Sequence, residues 1–555
     1  MTDRLRIALA QLNPKVGDLD GNLALARQAL ADAVAAKADI LMLSELFLTG
    51  YFPDDLLFKP RFLSDAFKAA EQLVAATDRT EVVLVLPTIW QDSNGLHNAV
   101  IVAENGKICA VRLKRELPNN DVFYEKRYFT AGPLAEPVTI KGVSIGIPIC
   151  EDIWHQSVCD HLRQQGAELL LCPNGSPYWR NKQHVRKNLV RARTSEDLVP
   201  MLYLNQVGGQ DELVYDGASF GMEPGDKLVF QGKSFETDFI VSDWERRENG
   251  WTCVEGTVHD LPTVEEAPWR ACVLGLRDYV HKNGFSHVVL GLSGGIDSAV
   301  VAAMAVDAFG PDKVHCIMLP YRYTSEASLK DAKDCADRLG VRYDVVAIGE
   351  PVDRALAELA PIFGDRPFDL AEENIQSRMR GVVLMAVSNK LGGMLLTTGN
   401  KSEMAVGYAT IYGDMNGGYN PLKDMLKMDV YRLAAWRNAH VPGDCLGPAG
   451  EVIPQNIIDK APSAELRPDQ TDQDSLPPYP VLDAIITAMV EQERSIDEIV
   501  AQGYDRPLVE RIERLVNIAE YKRRQSAPGP KITAKAFGLG RRYPITNGYR
   551  DRTIG

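Results

Sequence analysis

Short apolar runs separated by amphipathic or charged segments organise the first half of the chain. Residues 5–10 alternate into a short strand, and Asn22 to Ala38 form an Ala-rich amphipathic helix. Ile40-Leu-Met-Leu43 predicts a buried strand ending at Ser44-Glu45, and Val82 to Pro87 repeats that pattern. Asn98 to Val102 and Lys107 to Leu113 predict a hairpin around Asn105-Gly106. Val143 to Ile149 is a further strand that stops at Cys150. Leu169-Leu-Leu-Cys172 and Met201-Leu-Tyr-Leu204 follow, with a basic helix, Asn181 to Thr194, between them. This alternation of strand and helix runs to about Val241, with no internal repeat and no low-complexity segment.

The stretches Glu245 to Gly250 and Leu261 to Pro268 have the composition of boundary material, which divides the chain at 1–265 and 266–555. A helix then starts from Trp269, and a run including Val288, Val289 and Leu290 predicts a buried parallel strand. Ala299 to Val306 packs behind it as a helix. Val314 to Pro320 is the second strand of that sheet, and Ser325 caps a helix that stops at Gly340. Met394 to Thr398 is a later strand with Gly399-Asn-Lys-Ser-Glu403 at its carboxyl end. Ligands of open α/β sheets bind beyond such ends, so this stretch and Ser293–Ser298 face one crevice. Ala461 to Glu465 and Ser475 to Tyr479 are Pro-rich loops suited to a lid.

Composition narrows the classes. Hydrophobic content of 45% and charged content of 25% over 555 residues are ordinary for a globular protein of several domains. A net charge of −14 argues against a nucleic-acid partner. Nine scattered cysteines read as reduced thiols rather than a disulfide framework. The first residues carry too short an apolar run for a secretory signal, and no run reaches the roughly 18 apolar residues of a membrane helix. A cytoplasmic protein without a membrane partner is expected.

The chemistry concentrates in two places. Between the Val288 strand and its helix lie Gly291, Leu292, Ser293, Gly294, Gly295, Ile296, Asp297 and Ser298. Paired glycines let backbone N–H groups approach an anion, and the following helix offers its positive end. The loop lacks a Gly-Lys-Ser/Thr ending, so it is not the usual nucleoside triphosphate loop. Asp297 puts a carboxylate among the phosphates, which makes sense with a metal such as magnesium. Ser293-Gly-Gly-Ile-Asp-Ser298 resembles the pyrophosphate loop of the ATP pyrophosphatases, which adenylate an oxygen and release pyrophosphate.

In the first half, Glu45, Lys114 and Cys150 each stand just beyond a strand. Singly they read as loop charges and a packed thiol. Together they supply a nucleophile, a base and a cation for a tetrahedral oxyanion. Ser44 to Tyr51, Lys114 to Asn119, Phe123 to Phe129 and Cys150-Glu-Asp-Ile-Trp154 resemble the nitrilase, or carbon–nitrogen hydrolase, superfamily over residues 5 to about 240. The resemblance implies an α-β-β-α sandwich. It makes Glu125 the second glutamate, which positions the lysine, and gives the Glu151 N–H to the oxyanion hole. It assigns Asn120, Ser176 and Lys182 to glutamine, although Asn120 stands where relatives often carry an aromatic residue. A zinc site from His155, Cys159 and His161 competes locally, but its spacing fits no familiar pattern. Cys109, Cys172, Cys253, Cys272, Cys316, Cys335 and Cys445 are expected in cores.

An ammonia-releasing hydrolase fused to an ATP pyrophosphatase resembles the glutamine-dependent NAD synthetases over nearly the whole chain. Glu372 to Arg380, Thr397 to Glu403, Asn420-Pro-Leu-Lys423 and Ala461 to Glu465 carry that likeness. It implies an α/β protein whose C-terminal half is a doubly wound parallel sheet like the adenine nucleotide alpha hydrolases. ATP would meet residues 291–298, Thr398, Lys427 and Ser463, and deamido-NAD would meet Asn374, Glu403 and Lys522. Asp297 and Glu403 would hold magnesium. Ile411 and Gly418 stand where some relatives contact deamido-NAD through lysine and aspartate. Relatives are often oligomers, which implies a homo-oligomer. Two rivals remain: a tRNA-modifying pyrophosphatase, and an amidase with a nucleotide-binding regulatory half.

Overall fold

The computed structural model describes residues 3–248 and 250–551. Contacts divide the chain into two compact units, Met1–Gln210 with Val214–Pro262, and Asp211–Leu213 with Thr263–Gly555.

The first unit contains β1 (Arg4–Gln11), β2 (Ile40–Leu43), β3 (Val83–Asp92), β4 (Gly95–Glu104), β5 (Lys107–Leu113), β6 (Val138–Ile140), β7 (Val143–Gly146), β8 (Leu169–Asn174) and β9 (Met201–Asn205). β10 (Val207–Gln210) and β11 (Leu213–Asp216) form a ribbon, followed by β12 (Phe220–Glu223), β13 (Lys227–Gln231), β14 (Asp238–Arg247) and β15 (Gly250–Glu255). Its longer helices are α1 (Leu19–Ala35), α2 (Pro60–Ala76), α3 (Gln156–Gln164) and α4 (Lys182–Asp197). One sheet has the order β15-β14-β1-β2-β3-β4-β5 and the other β13-β12-β9-β8-β7-β6.

The two-residue period of a strand sorts each apolar run between two cores. Leu5, Ile7 and Leu9 of β1 and Leu169 and Leu171 of β8 pack into one cluster shared by both sheets. Ala8, Ala10, Leu41 and Leu43 turn the other way, onto Leu23 and Leu30 of α1 and Leu73 of α2. Leu170 and Cys172 turn onto Val158 and Leu162 of α3 and Val190 of α4. Four layers result, α-β-β-α, and strands buried on both faces read as unbroken apolar runs.

Parallel pairing is confined to β1-β2-β3 and β7-β8-β9, and the rims are antiparallel. The uniform strand–helix alternation expected up to Val241 therefore fails at the rims, where hairpins replace crossovers. Asn105 and Gly106 both have positive φ, 52° and 71°, as a two-residue hairpin turn requires. The Val143 strand stops at Gly146, three residues before Ile149. Cys109 and Cys253, expected in cores, lie on edge strands β5 and β15; Cys109 is exposed, and Cys253, like Cys445, is half-buried. An edge strand has one flank without a neighbour, so its side chains are less covered.

The second unit is built on a parallel sheet in the order β18-β17-β16-β19, with β16 (Val288–Gly291), β17 (Val314–Met318), β18 (Arg342–Val345) and β19 (Met394–Leu396). Around it run α5 (Glu266–Lys282), α6 (Ile296–Phe309), α7 (Glu326–Leu339), α8 (Gly349–Phe363), α9 (Leu370–Leu391), α10 (Lys401–Val406) and α11 (Lys427–Ala439). Every residue of α6 except Asp297 is buried. A buried pair fixes that helix: Asp307 accepts from Arg437 Nε at 2.7 Å and from Trp269 Nε1 at 2.9 Å, tying α6 to α11 and α5. Ser325 caps α7 by accepting from the Ser328 N–H, and Gly340 closes it at φ +71°.

Candidate functional site

In the first unit, the ends of β2, β5 and β7 deliver three charged or nucleophilic groups to one buried cluster. Lys114 and Glu45 are fully buried, and Lys114 Nζ donates to Glu45 Oε1 at 2.6 Å and to Glu125 Oε1 at 2.8 Å. Asn98 of β4 and the Gly175 N–H hold the two oxygens of Glu45, at 2.8 and 2.9 Å. Tyr51 donates to Glu125 at 2.9 Å. Burial, then the charges of Glu125 and Glu45, act on Lys114, whose pKa ends well above the ordinary value. Burial pushes the Glu125 carboxyl up to about 7, against the pull of Lys114.

Cys150 opens a short 3-10 turn, Cys150–Trp154, and is 6% exposed. Its φ of +47° is left-handed, unusual for a residue with a side chain. Burial and the Glu45 charge raise the thiol, while Lys114 opposes them. The resting sulfur is therefore protonated and needs a base to become a nucleophile. Glu151 follows at the start of that turn, where N–H groups have no helical partner. Asp152 fixes the turn to the Lys114 loop. Its oxygens accept from the N–H groups of Ile149 (2.9 Å), Arg115 (3.1 Å) and Glu116 (2.8 Å).

Ser176 is buried; Arg186 holds its carbonyl at 2.7 Å and its hydroxyl at 3.1 Å, and pairs with Asp216 at 2.7 Å. Lys182 Nζ lies 4.8 Å over the ring of Trp154, the residue that closes the turn Cys150 opens. Asn120 is exposed, and its carbonyl accepts from the Phe123 N–H.

The second unit opens a cavity of about 300 Å³ beyond β16 and β19. Gly291, Leu292, Ser293, Gly295, Ile296, Asp297, Ser298, Thr398, Lys427, Ser463 and Glu403 all line it. Gly294 has φ +78°, and a Cβ there would sit 2.3 Å from the Ser328 carbonyl oxygen, so α7 presses on the loop. Ser298 Oγ accepts from the Ser293 N–H at 3.2 Å and donates to the Gly295 carbonyl at 3.0 Å, which sets the curve of the cradle.

Lys427 is buried and bridges two carboxylates, Asp297 at 2.5 Å and Glu403 at 3.1 Å. Burial pushes Glu403 up to about 8, opposed first by Lys427. Asn400 holds Asp297 at 3.0 Å while capping α10 through the Glu403 N–H. Two carboxylates beside a phosphate cradle, one of them short of positive charge, fit magnesium, which takes one or two carboxylates and leaves other positions to phosphate and water. Asn374 of α9 and Lys522 of the short helix Glu520–Arg523 both hydrogen-bond the loop after α10. Asn374 accepts from Thr410 at 2.8 Å, and Lys522 donates to the carbonyls of Gly407 and Ala409, both at 2.8 Å.

Several residues at these sites escaped sequence reading. Lys460 lines the cavity and donates to the Gly294 carbonyl at 3.0 Å and to Asp331 at 3.0 Å. Arg380 of α9 lines it too. Neither carries a local signature, since both act across sequence separations. Asn400 had one: it stands three residues before Glu403, at N-cap spacing.

The carbon–nitrogen hydrolase family matches residues 6–246 and the NAD synthase family matches residues 268–526. Over 554 residues, and all of both chains, the sequence is 52% identical to the glutamine-dependent NAD(+) synthetase of Rhodobacter capsulatus. The chain belongs to the glutamine-dependent NAD(+) synthetases. The synthetase of Xanthomonas campestris pv. campestris is 49% identical over 551 residues, with 98% of each chain covered. Among solved structures, the glutamine-dependent NAD(+) synthetase of Acinetobacter baumannii, in complex with adenosine diphosphate, is 38% identical. It superposes with a TM-score of 0.78 over 99% of this chain and 100% of its own. The synthetase of Cytophaga hutchinsonii shares the fold, at a TM-score of 0.83, 23% identity and 98% coverage of each chain.

Proposed function

We propose that this chain makes NAD+ from deamido-NAD+, ATP and glutamine, releasing AMP, pyrophosphate and glutamate. The observation that carries the reading is the coexistence of two complete constellations: a lysine shared by two glutamates near a buried thiol, and a glycine cradle lined by Asp297, Glu403 and Lys427. The division of labour falls at residue 265. Residues 1–265 release ammonia, and residues 266–555 consume it.

In the first reaction Glu45 takes the Cys150 proton as sulfur bonds to the glutamine amide carbon. Lys114, steadied by Glu125, and the Glu151 N–H stabilise the oxyanion. Glu45 returns the proton to the departing nitrogen and NH3 leaves. Water, deprotonated by Glu45, then cleaves the thioester to glutamate. Ser176, Lys182 and Asn120 hold the amino acid end of the substrate.

In the second, a carboxylate oxygen of deamido-NAD+ attacks the α-phosphorus as the bond to pyrophosphate breaks. NH3 then attacks the adenylated carbonyl and AMP departs. The amides and hydroxyls of residues 291–298, with Thr398, Lys427 and Ser463, hold the nucleotide, and Asn374, Glu403 and Lys522 hold deamido-NAD+. Asp297 and Glu403 would hold magnesium, which when bound neutralises charge on the phosphates.

The reading extends to a cytoplasmic enzyme with small-molecule partners only; among the described residues no helix is long and apolar enough to cross a membrane. It extends also to a homo-oligomer, supported by exposed Ile362, Phe368, Leu370 and Val382 on and around α8 and α9. The test is stoichiometry: purified chain should form NAD+, AMP, pyrophosphate and glutamate in equal amounts. Pyrophosphate release that does not depend on deamido-NAD+ would sink the proposal.

A further inference from the structure

Arg380 lines the cavity of the second unit, and no carboxylate among the described residues pairs with its cation. Its Nε donates to the Leu319 carbonyl at 3.0 Å, just past the end of β17. Among the described residues no carboxylate comes within ion-pair range of it. Burial holds its guanidinium below the ordinary arginine value, with Glu465 and Asp414 opposing from farther off. A desolvated cation without a partner is costly, and in a substrate cavity the substrate is the partner available.

We propose that Arg380 binds the purine ring of ATP, an assignment that rests on this cavity being the ATP site. The phosphate groups already have their donors, in the cradle at Ser293–Ser298 and the Lys427 and Lys460 ammonium groups that line the same cavity. The wall near Arg380 is different in character, built from Met318, Leu319 and Leu384. A further phosphate there would face Asp414 and Glu465, the two acidic groups whose fields reach Arg380. A neutral aromatic ring escapes that repulsion. It fits an apolar slot, and a planar guanidinium anchored by one nitrogen keeps its face free to stack on it.

Two variants separate the possibilities. Arg380→Lys keeps the charge and loses the plane, and Arg380→Leu loses both while filling the slot. Each is assayed for the KM of ATP, the KM of deamido-NAD+ and glutaminase turnover. Inhibition is measured with adenosine, which has a purine and no phosphate, and with pyrophosphate, which has the reverse. We expect the KM of ATP to rise about tenfold in both variants. Adenosine should weaken by the same factor, with pyrophosphate inhibition, deamido-NAD+ KM and glutaminase turnover unchanged. Adenosine at full potency beside weakened pyrophosphate would reassign Arg380 to phosphate and overturn the proposal. So would a change confined to deamido-NAD+, or a lower melting temperature with unchanged kinetic constants. If unaltered protein released no AMP and pyrophosphate from ATP, the ATP-site reading would itself fall, an outcome distinct from any seen only in the variants.

Discussion

Lys114→Met removes the cation at the centre of the first site while keeping its approximate length. Nζ lies 2.6 Å from Glu45 and 2.8 Å from Glu125, all three fully buried. Two buried carboxylates would then face each other without a counter-ion. Breaking one side of a buried pair costs about 3–5 kcal/mol when the remaining charge persists. Here an escape exists, because Glu125 titrates at about 7 even with Lys114 present and would hold a proton without it. The sign follows: a carboxyl whose folded pKa is raised contributes stability fully below its unfolded value and loses it as pH rises through the folded one. The variant should therefore lose little stability at pH 6 and more at pH 8, by up to about 1.4 kcal/mol over those two units relative to the parent, whose own Glu125 already titrates midway between them. Catalysis should suffer at every pH, since the oxyanion loses its main donor, worth at least about 100-fold in glutaminase turnover. Glutamate release, ammonia-driven NAD+ formation and thermal unfolding at pH 6, 7 and 8 test this together. Unchanged glutaminase turnover, or a stability loss that shrinks as pH rises, would refute the reasoning.

Three further outcomes are expected. Cys150→Ala should abolish glutamine-supported NAD+ synthesis yet keep synthesis from ammonium, with a rate that climbs toward the ammonium pKa because only NH3 has the attacking lone pair; loss of both activities would count against separate sites. Asp297→Asn, which keeps size and removes charge, should collapse NAD+ formation from either nitrogen source, and near-normal synthesis would remove its metal role. Asp152→Asn weakens acceptance from three backbone N–H groups. It should lower glutaminase kcat by about tenfold while leaving ammonia-driven synthesis intact, at a net cost of about 1.5–3 kcal/mol per charge-assisted bond lost; an unchanged kcat would make the tie structural only.

How much of this was legible in the sequence follows from what each residue does. Strands buried on both faces, such as Ile40–Leu43 and Leu169–Cys172, announced themselves as unbroken apolar runs. Of the antiparallel rims, the β4-β5 hairpin showed through Asn105-Gly106, whereas β12 to β15 did not, because they mix polar and apolar positions. Glu45, Lys114 and Cys150 stood out by position, each just past a strand, and the structure gathers the first two about one ammonium. The glycine cradle showed through its composition. Asp152, Lys460 and Arg380 stayed hidden, since each takes its meaning from partners far along the chain or from backbone groups that any residue could present. The helix Glu326–Leu339 was readable at both ends because its cap serine and terminal glycine are local devices.

The left-handed backbone at Cys150 carries a consequence for engineering. A side chain at φ +47° costs about 1–2 kcal/mol relative to a residue free of Cβ. Leu46, beside Glu45, is also left-handed, at φ +48°. Selection for thermal robustness alone would thus favour glycine at position 150, whereas at position 46 the burial of the leucine side chain, 0% exposed, outweighs the strain. A Cys150→Gly chain should melt above Cys150→Ala, though both lack the thiol. Selection for stability that is blind to activity would erode this nucleophile, so libraries seeking heat tolerance need position 150 held constant.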